Sequence, residues 1–144
     1  MTEALSNEPN PAFTGVISAV VALVCDENGR VLLASSSESG PWSCIGGGVV
    51  EGQDLASAAI KFAREDCGLT VEVGDVVAEL SGDQYRVLYE CGADTTYRAT
   101  VYDAKLLAED EPAPLRANWF TPAQLAGLCL DEFATAALSD LHLL

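Results

Sequence analysis

Two hydrophobic periodicities divide this chain. Val16 to Cys25 is an almost continuous apolar run rich in valine, and a run of that length between polar segments predicts a buried strand. Asp26-Glu27-Asn28-Gly29 interrupts it before Val31-Leu32-Leu33 resumes. Asn-Gly between two apolar runs predicts a β-hairpin, because both residues tolerate positive φ. Ser35 to Gly40 reads as a polar loop. From Asp54 to Cys67 the period lengthens: Leu55, Ala58, Ala59 and Phe62 fall at i, i+3, i+4 and i+7 and share one helical face. Gly68 is a natural stop. Three β-like stretches follow, at about 70–80, 85–91 and 96–107. An acidic, proline-broken loop from Glu109 to Pro114 comes next, then a short strand from Ala117 to Phe120. Thr121-Pro122-Ala123-Gln124 has a capping residue, a first-turn proline and a capping-box glutamine, so a short helix starts there. A second helix is expected over about Asp131 to Leu141. Residues 1–12 read as a loose tail and 13–144 as one domain. The order strands, helix, strands, helices predicts an α+β fold.

Composition narrows the partners. With 49% hydrophobic residues the chain is too apolar to remain disordered. No apolar run approaches the roughly 20 residues of a membrane span, and no signal segment is evident. Seven Lys and Arg against 22 Asp and Glu give a net charge of −15. The bases Arg30, Lys61, Arg64, Arg86, Arg98, Lys105 and Arg116 are scattered rather than gathered in a stripe, which argues against a DNA or RNA duplex as partner. An acidic protein can still take up a phosphate compound if a divalent cation bridges the two. The five cysteines form no Cys-x-x-Cys and no Cys/His cluster, so zinc and a disulfide framework are not expected. Free thiols in a reducing cytoplasm are. His142 stands alone near the C-terminus, which disfavours a Ser-His-Asp site.

The segment from Gly46 to Leu69, GGGVVEGQDLASAAIKFAREDCGL, carries the chemistry. Glu65 and Asp66 lie three and four residues after Phe62, so the three side chains project in overlapping directions. Two carboxylates beside a glycine-rich segment suit a hard cation, and Mg²⁺ takes one or two protein carboxylates while keeping several waters. A glycine carbonyl can add another oxygen. Acids in a last helical turn also occur simply as solvated groups opposing the helix dipole. A triple glycine is commonly just a turn.

This segment resembles the Nudix box, the signature G-x5-E-x7-R-E-U-x-E-E-x-G-U of the Nudix (MutT-like) hydrolases, with U aliphatic. In register, Gly47 opens the box and Gly68-Leu69 closes it, with no insertion. Glu65 and Asp66 match the Glu pair. Gln53 stands where the family has Glu, Lys61 where it has Arg, and Phe62 where it has the next Glu. Trp42, Gly46-Gly47 and Gly52 resemble the usual lead-in, with Ile45 in place of its proline. The resemblance covers about residues 13–144 and implies an α/β/α sandwich around a mixed β-sheet. It also implies Mg²⁺ or Mn²⁺ on Glu65, Asp66 and the Gly46 carbonyl, with Gln53 in the catalytic set. Gly46, Gly47, Lys61 and Arg64 are the implied substrate contacts.

The expected activity is divalent-metal-dependent cleavage of a pyrophosphate bond in a nucleoside diphosphate linked to another moiety. The alternative is a catalytically inactive module that binds a nucleotide or a protein partner, because Phe62 removes a ligand and Gln53 cannot serve as a base. A base from outside the box would come from Glu90, Asp94, Glu109, Asp110 or Glu111. Trp42, Tyr85, Tyr89, Tyr97 and Phe120 are candidates for stacking on a base or for core packing. A homodimer is compatible with the resemblance.

Overall fold

A computed structural model describes residues 14–37, 39–50, 52–109 and 113–144. The expected tail over residues 1–12 lies outside the described residues, as do Asp110 and Glu111. The strands are β1 (Thr14–Val24), β2 (Val31–Ser35), β3 (Ile45–Gly48), β4 (Leu69–Leu80), β5 (Arg86–Leu88), β6 (Asp94–Glu109) and β7 (Arg116–Phe120). The helices are α1 (Leu55–Cys67), α2 (Pro122–Leu125) and α3 (Glu132–Asp140).

The main sheet runs β3-β1-β6-β4, with β5 also paired to β6. β1 and β6 are parallel and the other pairings are antiparallel, so the sheet is mixed. Side-chain alternation along β6 shows what covers each face. Tyr97, Ala99 and Val101 join one core cluster with Phe133, Ala134, Ala137 and Leu138 of α3. Tyr102, Ala104 and Leu106 join the other with Ala58, Ala59, Ala63 and Cys67 of α1. Alanine at three of these four buried positions of α1 lets that helix lie close against the sheet. The result is an α+β fold, as the pattern predicted, built as a sandwich with a mixed sheet between helices, as the resemblance implied.

The helix signals hold in detail. Asp54 caps α1 by accepting from the Ser57 N–H at 2.9 Å, and Gly68 ends it at φ 65°. Thr121 and Gln124 form both halves of the capping box at α2.

Two local expectations fail. The Asp26–Gly29 segment does turn, with the Asp26 carboxylate accepting from the Asn28 and Arg30 N–H groups at 2.9 and 2.8 Å. The strands it joins share only the Cys25–Val31 bridge. β2 then leaves the main sheet and pairs with β7 in a separate two-stranded ribbon. A turn signal reports a chain reversal; side-chain burial beyond it decides whether a hairpin forms. The β2 side chains alternate between the two clusters, Leu32 and Ala34 with Val20 and Ala22 on the α1 side and Val31 and Leu33 with Ala19 and Val21 on the other, while its backbone pairs with β7.

The triple glycine is neither turn nor loop. It is β3, paired antiparallel with β1 from Ala19–Gly48 to Ala22–Ile45. A Cβ at Gly46 would stand 2.0 Å from the Val20 carbonyl oxygen, so only glycine lets these strands meet here.

The predicted strand at 85–91 is shorter than expected. Asp83–Tyr85 forms a 3-10 turn, and Tyr89 N–H donates to Ala93 O as the chain reverses beyond β5.

Candidate functional site

Glu65 and Asp66 occupy the last turn of α1. At 3.6 residues per turn, Phe62, Glu65 and Asp66 fall within about one third of the helix circumference. Glu65 is exposed, whereas Asp66 is half-buried on the side facing the sheet. The sulfhydryl of Cys67 next to them is pushed up to about 12 by burial and by the charge of Asp66, so it stays a thiol. Phe62 is half-buried and packs against the α1-side core cluster. Its ring therefore extends the apolar core at a position between the two acids.

Gly46 and Gly47 are buried in β3, at the free edge of the main sheet and directly against α1. The Val49 N–H donates to Ser18 O at 2.8 Å, and these residues extend the β1–β3 register by one pair. Antiparallel ladders alternate between bonded and non-bonded pairs. Val49–Ser18 and Gly47–Val20 are thus bonded pairs, and Gly46–Val21 is not. That alternation turns the Gly46 carbonyl off the free edge, where it can serve as an oxygen ligand.

The other sequence candidates are dispersed. Gln53 Oε1 accepts from the Val50 N–H at 3.3 Å, which ties its amide into the loop before α1. Lys61 is exposed on the flank of α1 beside Glu65, one turn away. Arg64 is exposed on the opposite, solvent side of the helix from Asp66. Among the base candidates, Asp94 is held by Arg86 through two bonds of 2.8 and 2.7 Å, and these bonds keep its carboxyl below the usual range. Glu90 is exposed in the turn after β5. Glu109 is also exposed and lies opposite Leu69, three residues beyond Asp66. The segment following it returns to α1, where the Leu115 N–H donates to Asp66 O at 2.9 Å. Among the described residues no three His, Cys, Asp or Glu side chains converge as a metal cluster. The available donor set is two carboxylates and one carbonyl, which fits a hydrated Mg²⁺ or Mn²⁺ that keeps several waters.

The aromatic candidates are core. Trp42, Tyr85, Tyr89, Tyr97 and Phe120 are all buried. Trp42 meets Phe120 edge-on at 4.9 Å, and Phe133 packs between Tyr85 and Tyr97. The Tyr89 and Tyr97 hydroxyls bond each other.

One polar centre escaped the sequence reading. Asp131 caps α3, accepting from the Ala134 N–H at 2.7 Å and from the Ser43 hydroxyl at 2.5 Å. Burial pushes its carboxyl up to about 6, against the opposing pull of those hydrogen bonds. Two backbone bonds flank it: Trp42 N–H to Cys129 O at 2.8 Å and Asp131 N–H to Trp42 O at 3.1 Å. This knot fixes the segment entering β3. The cap position before a predicted helix was legible, but Ser43, 88 residues away, was not.

Comparison with known proteins places this geometry. No curated protein matches the chain. Among solved structures, an ADP-ribose pyrophosphatase from Streptococcus suis 89-1591 superposes with a TM-score of 0.66 at 23% identity, covering 88% of this chain and 87% of the other. A UDP-X diphosphatase gives 0.69 at 18% identity, covering 96% of this chain but only 63% of that longer one. A MutT protein from Methanosarcina mazei Go1 gives 0.62 at 20% identity, covering 88% and 96%. At such identities these structures speak to the fold alone. No described helix is long and apolar enough to cross a membrane. The model of the NUDIX domain matches residues 16–140, nearly the whole described chain, and the protein belongs to the NUDIX family.

Proposed function

We propose that the protein hydrolyses a pyrophosphate bond in a nucleoside diphosphate linked to another moiety, using Mg²⁺ or Mn²⁺ held by Glu65, Asp66 and the Gly46 carbonyl. The observation that carries this reading is the pair of carboxylates at the end of α1, beside an edge strand whose glycine carbonyl faces outward. Family membership supports the class of reaction. The substrate class is part of the proposal, taken from the names of the superposed ADP-ribose pyrophosphatase and UDP-X diphosphatase, whose likeness to this chain is one of fold. A divalent ion bound there supplies Lewis acidity towards a phosphoryl oxygen.

The chain's own groups do the rest. Gly46 and Gly47 let a phosphate approach the backbone without a side chain in the way. Lys61 offers a positive charge next to Glu65. Among the described base candidates, Glu109 pairs with Leu69, just beyond the acid pair, and we assign it to accepting a proton from the attacking water. The free thiols support a reducing compartment such as the cytoplasm as part of this reading.

One observation favours a second reading. Phe62 packs against the core at the position of a charged ligand, so a non-catalytic module binding a nucleotide or protein partner is the competing assignment. The two separate in a single assay: product release from ADP-ribose and a UDP-sugar with and without Mn²⁺. Metal-dependent turnover that vanishes in Glu65→Gln supports the enzyme. A silent wild type whose Phe62→Glu variant turns over substrate supports the module.

A further inference from the structure

The chain is held on both sides where it enters β3. On one side the Ser43 N–H donates to Ala34 O of β2 at 2.7 Å, and the Ala34 N–H donates back to Ser43 O at 2.9 Å. On the other side the Trp42 N–H donates to Cys129 O, and the Trp42 carbonyl accepts from the Asp131 N–H. The Trp42 ring meets Phe120 of β7. A Cβ at Gly40 would stand 2.8 Å from the Cys129 carbonyl oxygen, so the two segments touch there. Residues 40–43 thus thread between the ribbon and the residues that lead into α3.

The Ser43 side chain ties these parts together. Its hydroxyl donates to Asp131 Oδ2 at 2.5 Å. Asp131 is 2% exposed, and its Oδ1 accepts from the Ala134 N–H in the first turn of α3. Both carboxylate oxygens are therefore engaged. Ser43 is joined at once to the ribbon, to the lead into β3 and to α3.

Gly46 lies three residues further on, about 10 Å of extended chain. Cys44 and Ile45 between them are buried, so a shift at Ser43 has no free loop in which to be absorbed. Gly46 itself stands in a non-bonded pair with Val21. Its carbonyl direction follows from the ladder pairs that flank it and from the junction that fixes where the strand begins.

We propose that Ser43, braced by Asp131, is a positioning residue for the Gly46 carbonyl. It touches neither metal nor substrate; it holds the start of β3 against α3. The inference rests on the proposed function for what that carbonyl binds, whereas the brace can be read without a metal.

The test measures Mn²⁺ affinity of the full chain from the paramagnetic resonance signal of free Mn²⁺, with thermal melts to check that each variant folds. Ser43→Ala should weaken Mn²⁺ by about threefold to tenfold, less than the 10–100-fold typical of groups bonded directly to a ligand. Ser43→Thr keeps a hydroxyl and should stay within about twofold of wild type. Leu141→Ala removes core packing at the far end of α3, so it should lower the melting temperature and leave Mn²⁺ affinity unchanged. Wild-type affinity in Ser43→Ala, no rescue by Ser43→Thr, or an equal loss in Leu141→Ala overturns the proposal. Native-state amide exchange reads the brace without metal. In Ser43→Ala the Gly47 and Val20 amides should exchange at least about tenfold faster relative to those of Ala99 and Val101 in β6. A uniform change across these amides overturns the proposal. If the local change appears while wild type binds no Mn²⁺, the metal reading fails and the positioning of β3 by Ser43 stands.

Discussion

The two faces of the main sheet treat polar groups in opposite ways. On the α3 side most are spent on one another: Asp131 on Ser43 and the α3 terminus, Tyr89 on Tyr97, and Tyr85 on the exposed Asp140 at 2.5 Å, with the buried Thr95 hydroxyl the exception. On the α1 side Glu65, Lys61, Arg64 and Arg98 are exposed. Buried polar groups require partners, and groups already satisfied have nothing left to offer a ligand. The α3 side therefore holds the fold, and the α1 side is the one to which our proposal assigns the substrate chemistry. Phe62 is the exception, a core-type residue in the middle of the chemical face.

This contrast can be broken from either side. Phe133→Ala should have the largest effect, costing about 3–5 kcal/mol, because the ring is buried between Tyr85 and Tyr97. Denaturant midpoints would show it, and a loss below about 1 kcal/mol would mean that the α3 side is not the load-carrying core. Glu65→Gln should do the reverse. It should lower Mn²⁺-dependent turnover by about 10²–10³-fold and leave the unfolding free energy within about 0.5 kcal/mol.

Asp131 gives a pH signature that the exposed α1-side acids should lack. Its folded-state value is raised from 3.8 to about 6, so the folded state holds the proton more tightly than the unfolded chain. The resulting contribution is fully present below pH about 4 and is lost as pH rises through 6. It amounts to roughly 2–3 kcal/mol for about two pKa units. Wild type should lose that much relative to Asp131→Asn between those limits, with no further change above pH 7. An unchanging difference would show that the capping bonds outweigh burial.

Gly46→Ala should cost about 1–3 kcal/mol through overpacking against the Val20 carbonyl. Gly52→Ala meets no atom within 4 Å and strains only its φ of +85°, a cost of about 1 kcal/mol. Paired thermal melts would rank the two. The smallest effect belongs to Arg30→Ala. Its pair with Asp26 is part-exposed and local, and 0.5 M salt should erase most of its effect.

Local signals in the sequence were read at the level where they act. The Gly68 stop and the Thr121–Gln124 box each involve neighbours in the chain, and each appears in the structure as expected; the Asp54 cap is equally local and came only with the structure. The acid pair was legible for the same reason, since helical spacing places Glu65 and Asp66 together. What spacing cannot convey is which strand lies beside which. Asn28-Gly29 marks a reversal, but the departure of β2 from β1 depends on its pairing with β7. Gly46-Gly47-Gly48 reads as a turn until Val20 is brought within 2.0 Å of a would-be side chain.

The central claim is that the two acids closing α1 and the outward Gly46 carbonyl bind a divalent ion. Titrating Mn²⁺ into isotope-labelled protein and following paramagnetic broadening of its amide signals tests it most directly. The account predicts that broadening centres on Gly46, Glu65 and Asp66 and disappears in a Glu65→Gln, Asp66→Asn double variant that still folds. Broadening centred on another part of the molecule, or unchanged in the double variant, would contradict it.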